Sequence, residues 1–311
     1  MHRQKDAVVA GRIAKFLRRQ TPELPEVTEA VAQLARLAET QADLRQAAAL
    51  QSALLRAMYA APVAILPTAM TAEDAAARLD GGVPLLRNIA LPCEARHLHA
   101  IFIRLCKAAT TVHAETELGA PDSAVYATLA EAAKQGRLEL WTLGNTWLTS
   151  DVQALPAQLE AQGYVADLVL TLLRLTLLPC LEQVALQLAP LRATRPWGRG
   201  YCPTCGAWPV LAEQRGLEQW RYLRCGLCAS SWEVDRLLCP FCTTRDFRAL
   251  GYLQVEGEAP RQRVATCDAC QSYLKLRSTL TPLTTPQLLV EEIALVHLDL
   301  IAMDKGYSPP L

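Results

Sequence analysis

Eight of the chain's eleven cysteines stand in four Cys-x-x-Cys pairs: Cys202 with Cys205, Cys225 with Cys228, Cys239 with Cys242, and Cys267 with Cys270. Two residues between paired cysteines let the backbone turn as a knuckle that aims both sulfurs at one centre, and two knuckles complete a tetrahedron of thiolates. Four knuckles therefore predict two four-sulfur metal sites. The simplest pairing takes them in chain order, because each ribbon then closes a short loop at the smaller entropic cost. Cys202, Cys205, Cys225 and Cys228 would hold one ion, and Cys239, Cys242, Cys267 and Cys270 the other. Crossed pairing stays open at this point.

A four-thiolate shell leaves no coordination position for water or substrate, which argues against metal-hydrolase chemistry. What remains is a structural staple for modules too small to have their own core, or a redox centre. Zinc is the commoner ion in ribbons of this spacing, and iron binds the same tetrahedron. The knuckle C202-P-T-C-G resembles that of rubredoxin, which favours iron. A dithiol oxidoreductase would instead keep one free pair at a helix start in a βαβ setting. Nucleic-acid binding, the usual alternative for ribbons, calls for a basic surface. Residues 190–280 carry 13 Arg plus Lys against 8 Asp plus Glu. Two divalent ions on eight thiolates reduce that excess to about +1, too little for a phosphate-binding face.

The elements that would carry these knuckles fall into two halves. From about residue 5 to 190 the chain is rich in Ala and Leu at helical spacing. Helices are predicted at Val27–Glu39, Ala42–Tyr59, Pro92–His113, Ser123–Gln135, Leu155–Gln162 and Ala166–Leu178. Thr71 with Asp74 forms a capping box for a short helix that Gly81-Gly82 ends. Leu98, Ile101, Phe102, Leu105, Cys106 and Ala109 make one apolar stripe. Tyr164–Ala189 is the most apolar segment and reads as a buried helix pair, since Asp167, Arg174, Pro179 and Glu182 interrupt any membrane span.

Near Arg192 helical periodicity gives way to Pro, Gly and aromatic residues. Short alternating segments follow at Ala207–Leu211, Gln219–Arg224, Ser231–Val234, Ala249–Val255, Arg263–Thr266 and Tyr273–Arg277, and read as small hairpins. The first cysteines of the two halves, Cys202 and Cys239, mark an internal repeat. A single last helix is expected at Gln287–Asp304, with an apolar face wide enough to pack on a ribbon or on the helices.

Other chemistry-bearing residues have plainer readings. His97 and His99 are two apart on a helix and point about 200° away from each other, so they cannot share an ion. With His113, Glu115 and Glu117 they read as surface or satisfied groups, and His297 as a helix residue. Cys93 and Cys180 read as packed thiols, as does Cys106. Trp141 and Trp147 flank what looks like a Gly-Asn turn. Formal net charge is zero, from 31 Lys plus Arg against 31 Asp plus Glu, so the whole chain steers no charged partner. Met1–Gln20 shows no export signal: Arg18-Arg19 is followed by Q-T-P-E-L-P rather than an apolar run. Together with reduced cysteines, this predicts a cytoplasmic location.

Beyond the knuckles themselves, their flanks carry a resemblance. The stretches C202-P-T-C-G-A-W-P-V, R221-Y-L-R-C-G-L-C-A-S-S-W-E-V, C239-P-F-C, C267-D-A-C-Q-S-Y-L-K-L and L298-D-L-I-A-M-D-K-G-Y resemble the formate dehydrogenase accessory protein family, FdhE. The resemblance implies an α+β multidomain protein with an N-terminal all-helical domain over residues 1–191. A first rubredoxin-like (zinc-ribbon-type) metal-binding domain would span 192–236, and a second, with the C-terminal helix, 237–311. It implies a non-catalytic, cytoplasmic maturation factor that binds the catalytic subunit of a respiratory formate dehydrogenase before export. It also implies iron, with zinc as the alternative, on the eight cysteines named above. No nucleic acid and no membrane insertion are expected, and a homodimer stays open. The alternative functions are a rubredoxin-like electron-transfer protein acting on a client redox enzyme and, further off, a nucleic-acid-binding ribbon protein.

Overall fold

The computed structural model describes residues 24–115, 120–254 and 261–309. The expected readings of Met1–Gln20 and of Glu117 lie outside them. The helical half comprises α1 (Pro25–Thr40), α2 (Arg45–Met58), α3 (Ala72–Asp80), α4 (Ala95–Glu115), α5 (Ala120–Lys134), α6 (Leu140–Trp147), α7 (Leu155–Ala161) and α8 (Ala166–Arg192). The ribbon half contains β1 (Pro209–Arg215), β2 (Trp220–Cys225), β3 (Ser231–Glu233), β4 (Leu250–Leu253), β5 (Gln262–Cys267) and β6 (Ser272–Thr279). Two helices, α9 (Thr285–Ala294) and α10 (Val296–Asp304), follow.

The stripe of α4 is buried as its spacing requires, with Leu98, Ile101, Phe102, Leu105, Cys106 and Ala109 all in the core. Thr71 Oγ1 accepts the Asp74 amide at 3.0 Å while donating to the Asp74 carboxylate, which closes the start of α3. Gly81 caps that helix and Gly82 takes φ +71°, the left-handed turn that ends it.

Four expectations are corrected. α4 begins at Ala95 rather than Pro92, because the Pro92 carbonyl accepts the Leu66 amide and Cys93 pairs with Ile65 in an isolated bridge. The segment after Tyr164 is one 27-residue helix, α8, and not a helix pair. It runs through Pro179 because every residue from Leu175 to Leu181 is buried, and packing outweighs the local cost of a proline inside a helix. Although α8 is long and apolar enough to cross a membrane, 67% of its most apolar window is buried inside the protein. Trp141 to Trp147 lies within α6, where Gly144 fits against Leu177 and Leu91. There Asn145 Oδ1 accepts the Leu91 amide at 2.7 Å. Finally, the last helix breaks at Leu295. α9 packs on α1 and α2 while α10 packs on β5 and β6, and two surfaces in different directions need two helix axes.

The hairpins do not stay separate. All six strands form one sheet in the order β3-β2-β1-β6-β5-β4, antiparallel throughout except for a parallel pairing of β1 with β6 at the centre. Each ribbon contributes three strands, and the first strand of one meets the last strand of the other. β1 is buried on both faces, including Glu213 and Gln214. A second close approach lies at Gly200, where an added Cβ would sit 1.6 Å from the Pro240 carbonyl oxygen. Gly200→Ala should therefore push the third knuckle away from the first ribbon and cost about 3 kcal/mol, measured by urea denaturation against the wild type.

Candidate metal centres

The eight sulfurs gather in two groups, and each group follows chain order: Cys202, Cys205, Cys225 and Cys228 in one, Cys239, Cys242, Cys267 and Cys270 in the other. Within each group the sulfurs all lie within 4.8 Å of one another. A tetrahedral ion with sulfur at about 2.3 Å sets its ligands about 3.8 Å apart. Four of the sulfur pairs are of that size: 3.5 Å for Cys202–Cys228, 3.4 Å for Cys205–Cys225, 3.7 Å for Cys239–Cys270 and 3.6 Å for Cys242–Cys267. Both donor sets thus fit a soft divalent ion, zinc or iron.

Each knuckle is shaped by its backbone. The residue after the second cysteine takes positive φ in all four: Gly206 at +85°, Ala229 at +58°, Thr243 at +62° and Gln271 at +54°. That left-handed residue returns the chain toward the first sulfur. In the first knuckle the Gly206 amide reaches the Cys202 carbonyl and the Cys202 amide reaches that of Ala207. The third repeats this, from Thr243 to Cys239 and from Cys239 to Thr244. The cysteine repeat is thus a repeat of hydrogen bonds as well, although only the first of the four left-handed positions is a glycine.

The first centre is buried, with only Cys228 and Cys205 bordering neighbouring clefts. All four of its cysteines are buried. The amides of Leu227 and Cys228 donate to Cys225 Sγ, both at 3.4 Å, a pattern that stabilises thiolate sulfur. Cys228 Sγ lies 3.2 Å from Ser230 Oγ, which also meets Thr204 Oγ1 at 2.9 Å. Burial, with hydrogen bonds from neighbouring thiols, pushes the Cys205 and Cys225 thiols far above their ordinary range. Four thiolates in so dry a place need a cation, whose charge removes that penalty.

The helical half holds this centre in place. The amides of Leu85 and Leu86 donate to the Pro203 and Thr204 carbonyls inside the first knuckle, at 2.9 and 2.8 Å. Arg174 of α8 donates to the Gly226 carbonyl in the second knuckle at 3.1 Å and forms a two-pronged pair with Glu292 of α9 at 3.1 and 2.7 Å. In the sequence reading Arg174 is only an interruption of the apolar run, and Glu292 does not enter it. The signal was Arg174 itself, a charge inside the most apolar stretch of the chain, which has to find a partner when buried.

An aromatic chain links the two centres. Trp197, Tyr201, Trp208 and Phe241 stack edge to face with centroids 5.3, 5.9 and 5.6 Å apart, and Phe241 lies inside the third knuckle. The second centre is more open: Cys239 and Cys267 are buried, while Cys242 and Cys270 are incompletely buried. The C-terminal tail crosses its last knuckle. Tyr307 Oη donates to Asp268 at 2.5 Å and the Ser308 amide to the Gln271 carbonyl at 2.8 Å. Between helices and first ribbon runs a cleft of about 770 Å³, with Tyr59, Glu182, Arg192 and Ser230 on its walls.

Among the described residues, the remaining candidates join no metal-ligand cluster. His113 is buried, its Nδ1 2.9 Å from the Ala109 carbonyl and its ring against Tyr126. His99 and His297 contact the carbonyls of Ala95 and Ala294 in the same way. Cys93 and Cys180 are buried together, and hydrogen bonding to Cys180, added to burial, pushes the Cys93 thiol far up, so it is protonated. Burial pushes Cys106 up to about 12. All three are packing thiols in this setting.

Residues 201–236 match the family model for the central domain of FdhE. An FdhE homolog from Aquifex aeolicus is 34% identical over 115 residues, covering 36% of this chain and 40% of that protein. One from Stutzerimonas stutzeri is 38% identical over 111 residues, 34% of this chain and 35% of that protein. Protein FdhE of Salmonella dublin is 30% identical over 204 residues, 63% of this chain and 58% of that protein. The chain thus spans less than two thirds of the length of these curated relatives. The crystal structure of the FdhE protein from Pseudomonas aeruginosa has the same fold, with a TM-score of 0.61 over 91% of this chain and 92% of that one at 22% identity. The chain thus matches the central domain of FdhE over residues 201–236 and shares the fold of the solved FdhE protein, with two four-cysteine clusters in its sheet region.

Proposed function

We propose that this protein is a cytoplasmic, non-catalytic accessory factor for formate dehydrogenase that binds the enzyme's catalytic subunit before export. Residues 1–191 would act as the helical domain, 192–236 as the first ribbon, and 237–311 as the second ribbon with its helices. The carrying observation is the pair of four-cysteine clusters built into one sheet, the first of them inside the stretch that matches the FdhE central domain. In this reading Cys202, Cys205, Cys225 and Cys228 hold one ion, and Cys239, Cys242, Cys267 and Cys270 the other. A filled thiolate shell supplies shape or an electron but no open Lewis-acid position. The metals therefore fix the surface on which the client docks, including the ribbon wall of the large cleft. Iron is favoured over zinc by the knuckle type.

The test is co-purification of a tagged formate dehydrogenase catalytic subunit with the wild-type protein and with the Cys202→Ser, Cys205→Ser double variant, alongside elemental analysis. The double variant should lose one metal equivalent and at least tenfold in capture of the subunit. Full capture by a variant stripped of both ions would remove the ribbons as the recognition element. Zinc alone in protein purified from its own source would remove the electron-transfer alternative.

A further inference from the structure

The two centres share a ligand set and a knuckle geometry but differ in everything around them. In the first, all four cysteines are buried, and both knuckles are tied to other parts of the fold. Leu85 and Leu86 hold one through its carbonyls, Arg174 holds the other through Gly226, and the Arg174–Glu292 pair fastens that arm to α9. To open this centre, hydrogen bonds to α8 and to residues 85–86 must break first. In the second, the buried pair Cys239 and Cys267 forms the inner edge, while Cys242 and Cys270 are incompletely buried on the outer edge. The Cys267–Cys270 knuckle is strapped by the tail through Tyr307 and Ser308. The Cys239–Cys242 knuckle rests on Gly200 at its inner end, beside Pro240, and presents its outer cysteine to solvent.

We propose that the centres are kinetically unequal: the first is a permanent staple, and the second is an exchange site for a soft divalent cation, entered and left through Cys242. This rests on the reading of both clusters as metal centres. Ligand exchange at a thiolate site requires an incoming group to reach the ion as one sulfur leaves. The incompletely buried outer edge of the second centre gives that access more readily than the first, where all four cysteines are buried and only Cys228 and Cys205 border a cleft. The exchange is ligand for ligand, with no change of oxidation state. Donor atoms of the incoming ligand replace the four sulfurs in turn, Cys242 first, and each released thiolate takes a proton from solvent. The strapped Cys267–Cys270 knuckle keeps its shape meanwhile, so the emptied site is ready to reload. An accessory protein with one locked and one open centre can keep its fold while its second ion is given up or taken in.

The experiment uses the full chain loaded with two equivalents of zinc and challenged with an excess of a coloured chelator. Release should come in two phases of one equivalent each, the first at least tenfold faster. Pulse alkylation with N-ethylmaleimide and peptide mass spectrometry, run on the same protein, should label Cys242 first, Cys270, Cys239 and Cys267 next, and Cys202, Cys205, Cys225 and Cys228 last. Cys242→Ser should delete the fast phase and leave the slow one unchanged. Release of both equivalents at one rate, or labelling of Cys205 or Cys225 ahead of Cys242, overturns the proposal. Failure of the wild-type chain to hold any zinc or iron would instead remove the underlying metal reading, and stoichiometry measured before the chelator is added separates the two outcomes.

Discussion

Cys225→Ser should leave the purified protein with one metal equivalent instead of two and a ribbon half that no longer folds cooperatively. Cys225 is buried, receives two backbone amides at its sulfur, and begins the knuckle that Arg174 clamps. Serine offers a weaker, harder donor of different length, and the two amides lose their thiolate. The magnitude decides the outcome. A structural four-ligand zinc site is worth about 10–16 kcal/mol of apparent binding free energy that is also folding free energy, while a whole domain is stable by only about 5–15 kcal/mol. Losing even half of the site's contribution removes most of the margin. Near-UV circular dichroism should show loss of the tryptophan signal from Trp208 and Trp232, with the α-helical far-UV signal mostly retained. Two equivalents of metal and an unchanged melting curve would show that the first centre does not stabilise the fold.

Glu213→Ala is expected to cost about 3–5 kcal/mol, the range for breaking a buried ion pair from one side. The Glu213 side chain is fully buried and gathers Arg224, Arg215 at 3.0 Å, Thr279 at 3.2 Å and the Leu283 amide at 3.1 Å. These partners come from β1, β2, β6 and the segment before α9, so one carboxylate joins both ribbons and the last helices. Its removal leaves the Arg224 guanidinium, 4% exposed, without its counter-charge. Burial alone would raise the Glu213 carboxyl, but Arg215 and Arg224 outweigh it and hold it below the ordinary glutamate range. A depressed carboxyl contributes its stability in full above about pH 5 and loses it as pH falls below about 4, through the folded value. Because acid also protonates cysteines, the measurement is the difference between wild type and Glu213→Gln in urea denaturation. That difference should be largest at pH 7 and shrink toward zero in acid. A constant difference from pH 7 to 3 would show that the charge is not what matters.

Much of this arrangement was legible in the residues, because cysteine spacing and helical periodicity are local signals. The grouping of the eight sulfurs and the stripe of α4 each depend on residues close in sequence, and both were read with their partners in place. What escaped was what depends on distant surfaces. Pro179 looked like a helix end because its ring and missing donor are local costs, yet α8 is enclosed by the core and continues. Leu295 looked like the middle of a helix because its apolar neighbours repeat smoothly. The break comes from the two separate surfaces that α9 and α10 must cover. Nothing in β1 or β6 alone announces that they pair in parallel. The nearest hint is Glu213 at the end of the apolar run Pro209–Ala212, a residue that is buried because a second ribbon lies beside it.

That parallel pairing of β1 with β6 also sets a timetable for biosynthesis. Ala212 lies beside Leu276, a residue that emerges from the ribosome about sixty positions later. At roughly 5–20 residues per second the first ribbon waits several seconds for its neighbour. During that wait β1 is an uncovered edge strand, exposed to pairing with other chains. Early capture of an ion by the first knuckle pair would hold β1, β2 and β3 together as a folded hairpin unit until β6 is made. On this account metal supply during translation, and not only afterwards, governs how much of the newly made protein escapes aggregation.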